Sequence, residues 1–309
     1  MLFELQGHRG ARGLKPENTL PSFEAALDVG VTSIETDLHL TRDGVPVICH
    51  DPDLGLLLSA SSTKTPLPRE RRLSLLTLAE VRQFRVDRNP EPQRFPEQES
   101  SVTPAAQLFA QANNMDPYGV PTLADFIAFV AAYAGPLGVR AGKSALQRQR
   151  AGQLRFDLEL KRVPFEPHTI GDDFDGVGPG LLERRIVEEV RKAGVVERTV
   201  VRSFDHRSVR ALRQLEPRLT TVALISGTTL ISPVAIAHDV GATIHAPEYR
   251  FVDKKLIDAA HGEGLRVIPW TVNRPEIWER LVAWGVDGLT TDHPDRLAAW
   301  LAENGITVL

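Results

Sequence analysis

The sequence predicts a (β/α)8 barrel of the TIM type. Short strand-like apolar runs alternate with helical stretches, which argues for βα units around a parallel sheet. The strand-like runs reach the count that closes such a barrel. No glycine-rich fingerprint of an open dinucleotide-binding sheet accompanies them.

The expected strands are Phe3–His8, Ser33–Leu38, Leu154–Lys161, Thr199–Phe204, Leu219–Leu224, Ala242–His245, Val267–Thr271 and Gly288–Thr291. Helical patterns follow at Leu20–Val29, Leu123–Tyr133, Leu182–Ala193, Arg207–Leu215, Ala235–Val240, Leu256–Glu263, Glu276–Trp284 and Pro294–Glu303. One run, Val45–Cys49, breaks the alternation. The link Thr41-Arg42-Asp43-Gly44 is too short for a parallel crossover, and Asp-Gly signals a hairpin. Val45–Cys49 is therefore expected to fold back on the second strand, with His50 opposite Asp37.

Residues 52–118 read as an insertion after the second strand, lying over the barrel mouth of a single domain spanning 1–309. Proline-rich and charged, the insertion is expected to hold helices at Thr77–Phe84 and Pro104–Asn113. A second loop-rich stretch is Arg162–Gly180.

The chain has 309 residues, 42% of them hydrophobic, and a net charge of -4. That supports one sizeable core and gives no basic excess for nucleic-acid binding. There is no run of about 18 apolar residues, so no stable membrane insertion is expected. The N-terminus lacks a signal-peptide pattern. With one cysteine, Cys49, no internal disulfide can form, and a cytoplasmic location is expected.

Barrel active sites lie at the C-terminal ends of the strands. The first strand ends in His8-Arg9-Gly10, the second carries Glu35 and Asp37, the hairpin ends in His50-Asp51, and the third carries Glu159 and Lys161. Alternation puts Glu35 and Asp37 on one face, and Asp157, Glu159 and Lys161 on one face. Buried carboxylates need a partner. One partner is a hard divalent cation, Mg²⁺ or Ca²⁺, which prefers oxygen ligands; the other is an ion-pair network with Arg9 and Lys161. Two histidines suit acid–base work, and the cations suit phosphate oxygens. The set fits phosphoryl transfer better than glycoside hydrolysis, which needs only paired carboxylates.

These residues resemble a known family. Gly7-His8-Arg9-Gly10, Pro16-Glu17-Asn18-Thr19, Glu35-Thr36-Asp37, Thr41-Arg42-Asp43-Gly44 and His50-Asp51 are similar to the opening of glycerophosphodiester phosphodiesterases. Pro121-Thr122-Leu123, Glu159-Leu160-Lys161, Ser203-Phe204-Asp205, Trp270-Thr271-Val272-Asn273, Gly285-Val286-Asp287-Gly288 and Thr291-Asp292 continue the resemblance in order. It implies metal-dependent hydrolysis of a small-molecule glycerophosphodiester to glycerol phosphate and an alcohol. His8 and His50 would be the acid–base pair, with Glu35, Asp37 and Glu159 on one divalent cation, Mg or Ca. Arg9 and Lys161 would grip the phosphate, and Trp270 would face the glycerol or the alcohol. Glu17 and Asn18 would support the site, Asn18 by capping the first helix. In the family the substrate's neighbouring hydroxyl can attack phosphorus, giving a cyclic phosphate that water opens.

The sequence departs from the family after His50-Asp51, where Pro52–Leu58 replaces the usual Arg-Thr-Thr-rich segment. Its apolar part, Leu54–Leu58, could line a lipid-tail groove or form a short buried helix. Two other readings remain: a lysophospholipase D acting on lipid, and a non-catalytic barrel that binds a phosphorylated ligand. His39 and His245 are candidates for supporting the site. Cys49 is expected to be a buried, inert thiol.

Overall fold

The strands that carry the expected site are apolar on the face toward the helices and charged on the other. In the computed structural model, residues 2–55, 59–60, 70–227 and 232–309 are described. Residues 56–58 of the Leu54–Leu58 run lie outside the described residues. In the strand Arg155–Leu160, Phe156, Leu158 and Leu160 join the main apolar core, which lies between the strands and the surrounding helices. Asp157 and Glu159 alternate with them and face the lumen.

The parallel strands run Leu2–His8, Ser33–Leu40, Arg155–Leu160, Thr199–Ser203, Thr220–Ile225, Ile244–Pro247, Arg266–Val267 and Gly288–Thr291, and from the first through Arg266–Val267 each is hydrogen-bonded to the next in chain order. The last strand returns to the first, pairing Glu4 with Gly288 and Gly7 with Thr291. Its junction with Arg266–Val267 is held by Asp287 N–H donating to the Val267 carbonyl (3.0 Å) and Thr290 N–H to that of Pro269 (3.0 Å). The expected strand Val267–Thr271 is regular only at its start. Pro269 has no N–H to give the ladder, although Ile268 and Trp270 still donate to His245 and Pro247.

The hairpin strand forms as expected, over Pro46–Ile48, antiparallel to Ser33–Leu40. Its register is one residue off the expectation. Cys49 N–H donates to the Asp37 carbonyl at 3.0 Å, so Cys49 opposes Asp37 and His50 lies beyond it. The turn closes through the side chain of Thr41, which accepts from Val45 N–H, while Gly44 takes a left-handed φ of 75°.

Leu73, Val81 and Phe84 of the insertion build a small core together with Val47 of the hairpin strand and with Val120. The expected helix Thr77–Phe84 is cut to Leu78–Val81. A Thr77–Glu80 capping box starts it, but Phe84 is drawn into the small core and pairs as Phe84–Arg85 with Ser59–Ala60. The helix Pro104–Ala112 begins on the buried carboxylate of Glu24, which accepts from Ala105 and Ala106 N–H at 3.0 and 2.7 Å. An acid at a helix start satisfies its free donors and its positive end. Two helices were not expected, Pro136–Arg140 and Ala145–Gln153. The second opens with a Ser144–Gln147 capping box, a signal present in the sequence as Ser-x-x-Gln.

The turn after the first strand fixes how the site is presented. Arg9 and Gly10 both have positive φ, 54° and 87°. A Cβ on Gly10 would fall on Ser22 of the first helix. Gly10→Ala is therefore expected to lower stability by about 1–3 kcal/mol, read as a lower midpoint in urea unfolding with an unchanged slope.

Candidate active site

Strand alternation delivers three acids to one place. Glu35, Asp37 and Glu159 each offer an oxygen, and these lie within 4.8 Å of one another in a buried cluster. Glu35 and Asp37 come from one strand and Glu159 from its neighbour, where Asp37 and Glu159 are paired in register. Burial pushes the Glu35 carboxyl well up, and the charges of Asp37 and Glu159 push it further. Burial acts on Asp37 too, but the adjacent Arg9 and Lys161 outweigh it and hold that carboxyl low.

The donor set fits a hard divalent cation. All three ligands are carboxylate oxygens, the preference of Mg²⁺ and Ca²⁺. Asp37 Oδ1 is buried without a hydrogen-bond partner, with Lys161 Nζ at 3.4 Å as an ion-pair contact. The part of Glu35's shift that comes from its two acidic neighbours is the repulsion a cation would relieve.

The cations expected at the phosphate are present, but both also hold acids. Lys161 donates to Glu159 at 2.7 Å. Arg9 donates to Glu17 at 2.8 Å and contacts Asp37 at 3.1 Å. Glu17 also takes Arg12 at 2.5 Å, so it orients two guanidinium groups and does not itself reach the acid cluster. Asn18 does not cap the first helix. Thr19 does, accepting from Ser22 N–H, because Asn18 occupies a left-handed φ of 57° that points its amide at Asp37 (2.9 Å).

His8 and His50 line one cavity of about 350 Å³ together with Arg9, Glu35, Glu159 and Lys161. His8 Nδ1 lies 2.6 Å from Asp292 Oδ1, and its Nε2 is 4.0 Å from Glu35. Burial pushes the Asp292 carboxyl up, but His8 and Arg12 outweigh it and hold it well below the usual range. The anionic Asp292 thus accepts from Nδ1–H and leaves Nε2 as the acceptor nitrogen. Burial lowers the His8 pKa against the opposing pull of Asp292, so the ring is neutral at pH 7. His50 Nδ1 is held by Asp51 at 2.7 Å, and the His39 ring reaches the His50 carbonyl at 3.1 Å.

Trp270 forms part of the cavity wall with Phe204 and Leu224. Its indole N–H donates to the Ala246 carbonyl (2.9 Å) and its ring meets Phe204 edge-on. His245 is fully buried and is not among the residues lining this cavity. Burial raises the Cys49 thiol pKa, which keeps it protonated.

Sequence reasoning left four contributors out of the site. Asp292 stands one residue past the last strand, Gly288–Thr291, a position that itself marks a candidate. Asn273 grips it through its amide (2.6 Å) and through the Asp292 N–H (2.9 Å). Arg202 is buried in the lumen on Asp157. Arg94 reaches the mouth from the insertion and donates to Asp292 at 3.2 Å; nothing local in the sequence marks it.

The chain matches the profile described as the glycerophosphoryl diester phosphodiesterase family over residues 8–157 and 169–296. It belongs to that family. A glycerophosphodiester phosphodiesterase of Caldanaerobacter subterraneus is 25% identical over 96% of this chain and 97% of its own. A solved structure from Silicibacter pomeroyi that carries the family's name is 29% identical, covers 100% of this chain and 96% of its own, and superposes with a TM-score of 0.79. An Oleispira antarctica phosphodiesterase solved with the product sn-glycerol-3-phosphate shares the fold at 18% identity, with 97% of each chain covered and a TM-score of 0.68. Family membership and the barrel agree with the resemblance read from the motifs.

The Asp292–His8 pair generates a prediction. Asp292→Asn can no longer fix the tautomer, and kcat is expected to fall on the order of 10²–10⁴-fold. Because Asp292 raises the His8 pKa, its loss should also move the acid limb of the kcat/KM profile to lower pH. A pH–rate profile of the residual activity checks both.

Proposed function

We propose that this chain hydrolyses glycerophosphodiesters to glycerol phosphate and an alcohol, with one divalent cation, Mg or Ca, on Glu35, Asp37 and Glu159. The observation that carries this reading is the buried three-carboxylate cluster, two of whose members, Glu35 and Glu159, line the cavity that also receives His8 and His50. The family match supports the substrate class.

The phosphate would lie between the imidazoles, with Arg9 and Lys161 donating to its non-bridging oxygens. A bound divalent cation would supply positive charge next to those oxygens as the phosphorane forms. One imidazole takes the proton of the attacking hydroxyl, whether the substrate's own or water. The other returns a proton to the departing alkoxide. His8 has the features of the base: a neutral ring, an Nδ1 anchored on Asp292, and an Nε2 turned toward the acid cluster. His50, on the hairpin end and about one-third exposed, would serve the leaving oxygen, where solvent can restore its proton.

Glu17 and Asn18 position the machinery through Arg9 and Asp37. Trp270 gives the diester an apolar wall. Among the described residues no helix is long and apolar enough to cross a membrane. A single cysteine, buried, suits a reducing compartment, and the cytoplasm is the location proposed.

Removal of metal with EDTA is expected to abolish release of glycerol phosphate from glycerophosphocholine, and Mg²⁺ or Ca²⁺ to restore it. Full activity in EDTA would refute the metal assignment. His50→Ala is expected to reduce kcat by about 10²–10⁴-fold while circular dichroism and thermal melting stay close to those of the unaltered protein, since the side chain is about one-third exposed.

A further inference from the structure

A second, larger cavity adjoins the reaction cavity. Arg94, Trp270 and Thr271 line both, and the second has a volume of about 570 Å³. The acid cluster lies in the first cavity, where carboxylates and a cation suit the neutral hydroxyls of glycerol. The other half of a bound diester would then extend past Trp270 into the annex.

The annex is strongly cationic. Arg94, Arg250, Arg274 and Arg296 line it, against one lining acid, Glu248. Glu248 is held by Arg250. The other arginines have acid partners outside the lining: Glu91 (3.1 Å) and the buried Asp292 (3.2 Å) for Arg94, Glu276 for Arg274 (3.0 Å) and Glu97 for Arg296 (2.7 Å). Asp292 aside, the side chains of those pairs are between 40% and 64% exposed. Exposed pairs of this kind hold weakly and exchange partners readily, so the guanidinium groups of Arg274 and Arg296 remain available to a ligand anion. The helices Pro275–Trp284 and Pro294–Glu303 also begin at this wall, neither with a side-chain cap among the described residues, although Glu276 and Asp295 in their first turns offset part of the positive potential there.

Aromatic rings line the annex too, which raises the opposite option of a cationic alcohol held by cation–π contact. The ring of Phe95 is already taken, with Arg12 and Arg94 each 4.8 Å from its centroid. Trp270 is turned edge-on into Phe204. A quaternary ammonium would enter a wall of arginines to reach what remains.

We propose that this annex receives the alcohol half of the diester and selects alcohols that bear an additional carboxylate or phosphate. The inference rests on the diesterase reading above and names the substrate class that site prefers.

A matched pair tests it. Glycerophosphoserine and glycerophosphoethanolamine differ only by one carboxylate. The metal-loaded protein is expected to show a kcat/KM about three- to tenfold higher for the serine diester, with the ratio shrinking as salt is raised. Arg274→Glu and Arg250→Glu should bring the ratio to one or below it. A ratio of one in the unaltered protein, a higher kcat/KM for glycerophosphocholine, or a ratio that survives both charge reversals would overturn the proposal and leave the diesterase intact. Turnover of none of the three diesters would overturn the diesterase reading, and this one with it.

Discussion

Three carboxylates packed together out of water repel one another, and most of the polar architecture of this barrel answers that repulsion. Uncompensated buried charge is among the most costly features a fold can carry. Arg9 and Lys161 lean on Asp37 and Glu159 from two sides, and Asn18 bends into a left-handed conformation to reach Asp37. Glu35 receives the Arg9 N–H at 3.2 Å and keeps a strongly raised pKa even so. The protein side chains thus leave a share of the charge problem that a divalent cation would resolve. The same arrangement keeps Arg9 and Lys161 where a phosphate would need them.

The lumen is divided to suit this. Strands on one side supply Val200, Val222, Leu224, Ile244, Ala246 and Ile268, an apolar cluster that Phe204 and Trp270 extend toward the mouth. The other side carries Glu4, Gln6, Asp157 and Arg202 below the acid cluster, joined by hydrogen bonds from Gln6 to Glu4 (2.8 Å) and from Arg202 to Gln6 (3.2 Å). An apolar wall facing a polar one gives a diester a dry side and a charged side, the condition under which electrostatic stabilisation of a developing charge is strongest.

The insertion takes part in the site. Glu91 pairs with Arg12, Glu99 with Lys15, and Gln98 donates to the Arg12 carbonyl. These contacts clamp the loop between His8 and Asn18, whose conformation sets the position of Arg9 and the first helix. Phe95 lies between Arg12 and Arg94, and through Arg94 the insertion touches Asp292, the residue that orients His8.

What the sequence determined by itself was whatever a local period or motif encodes. Alternation within Ser33–Leu40 and Arg155–Leu160 put the acids on the lumenal face, the succession of βα units implied the barrel, and Asp43-Gly44 announced the hairpin. The tertiary structure alone decided the contacts between distant segments. Cys49 rather than His50 faces Asp37 because turn geometry sets a hairpin's register. Asp292 meets His8 from 284 positions along the chain, Glu24 caps a helix 81 residues away, and Arg94 enters the mouth from an insertion without a regular period. Barrel closure brings these groups together, and no spacing along a single segment records how the two ends of a closed sheet will meet.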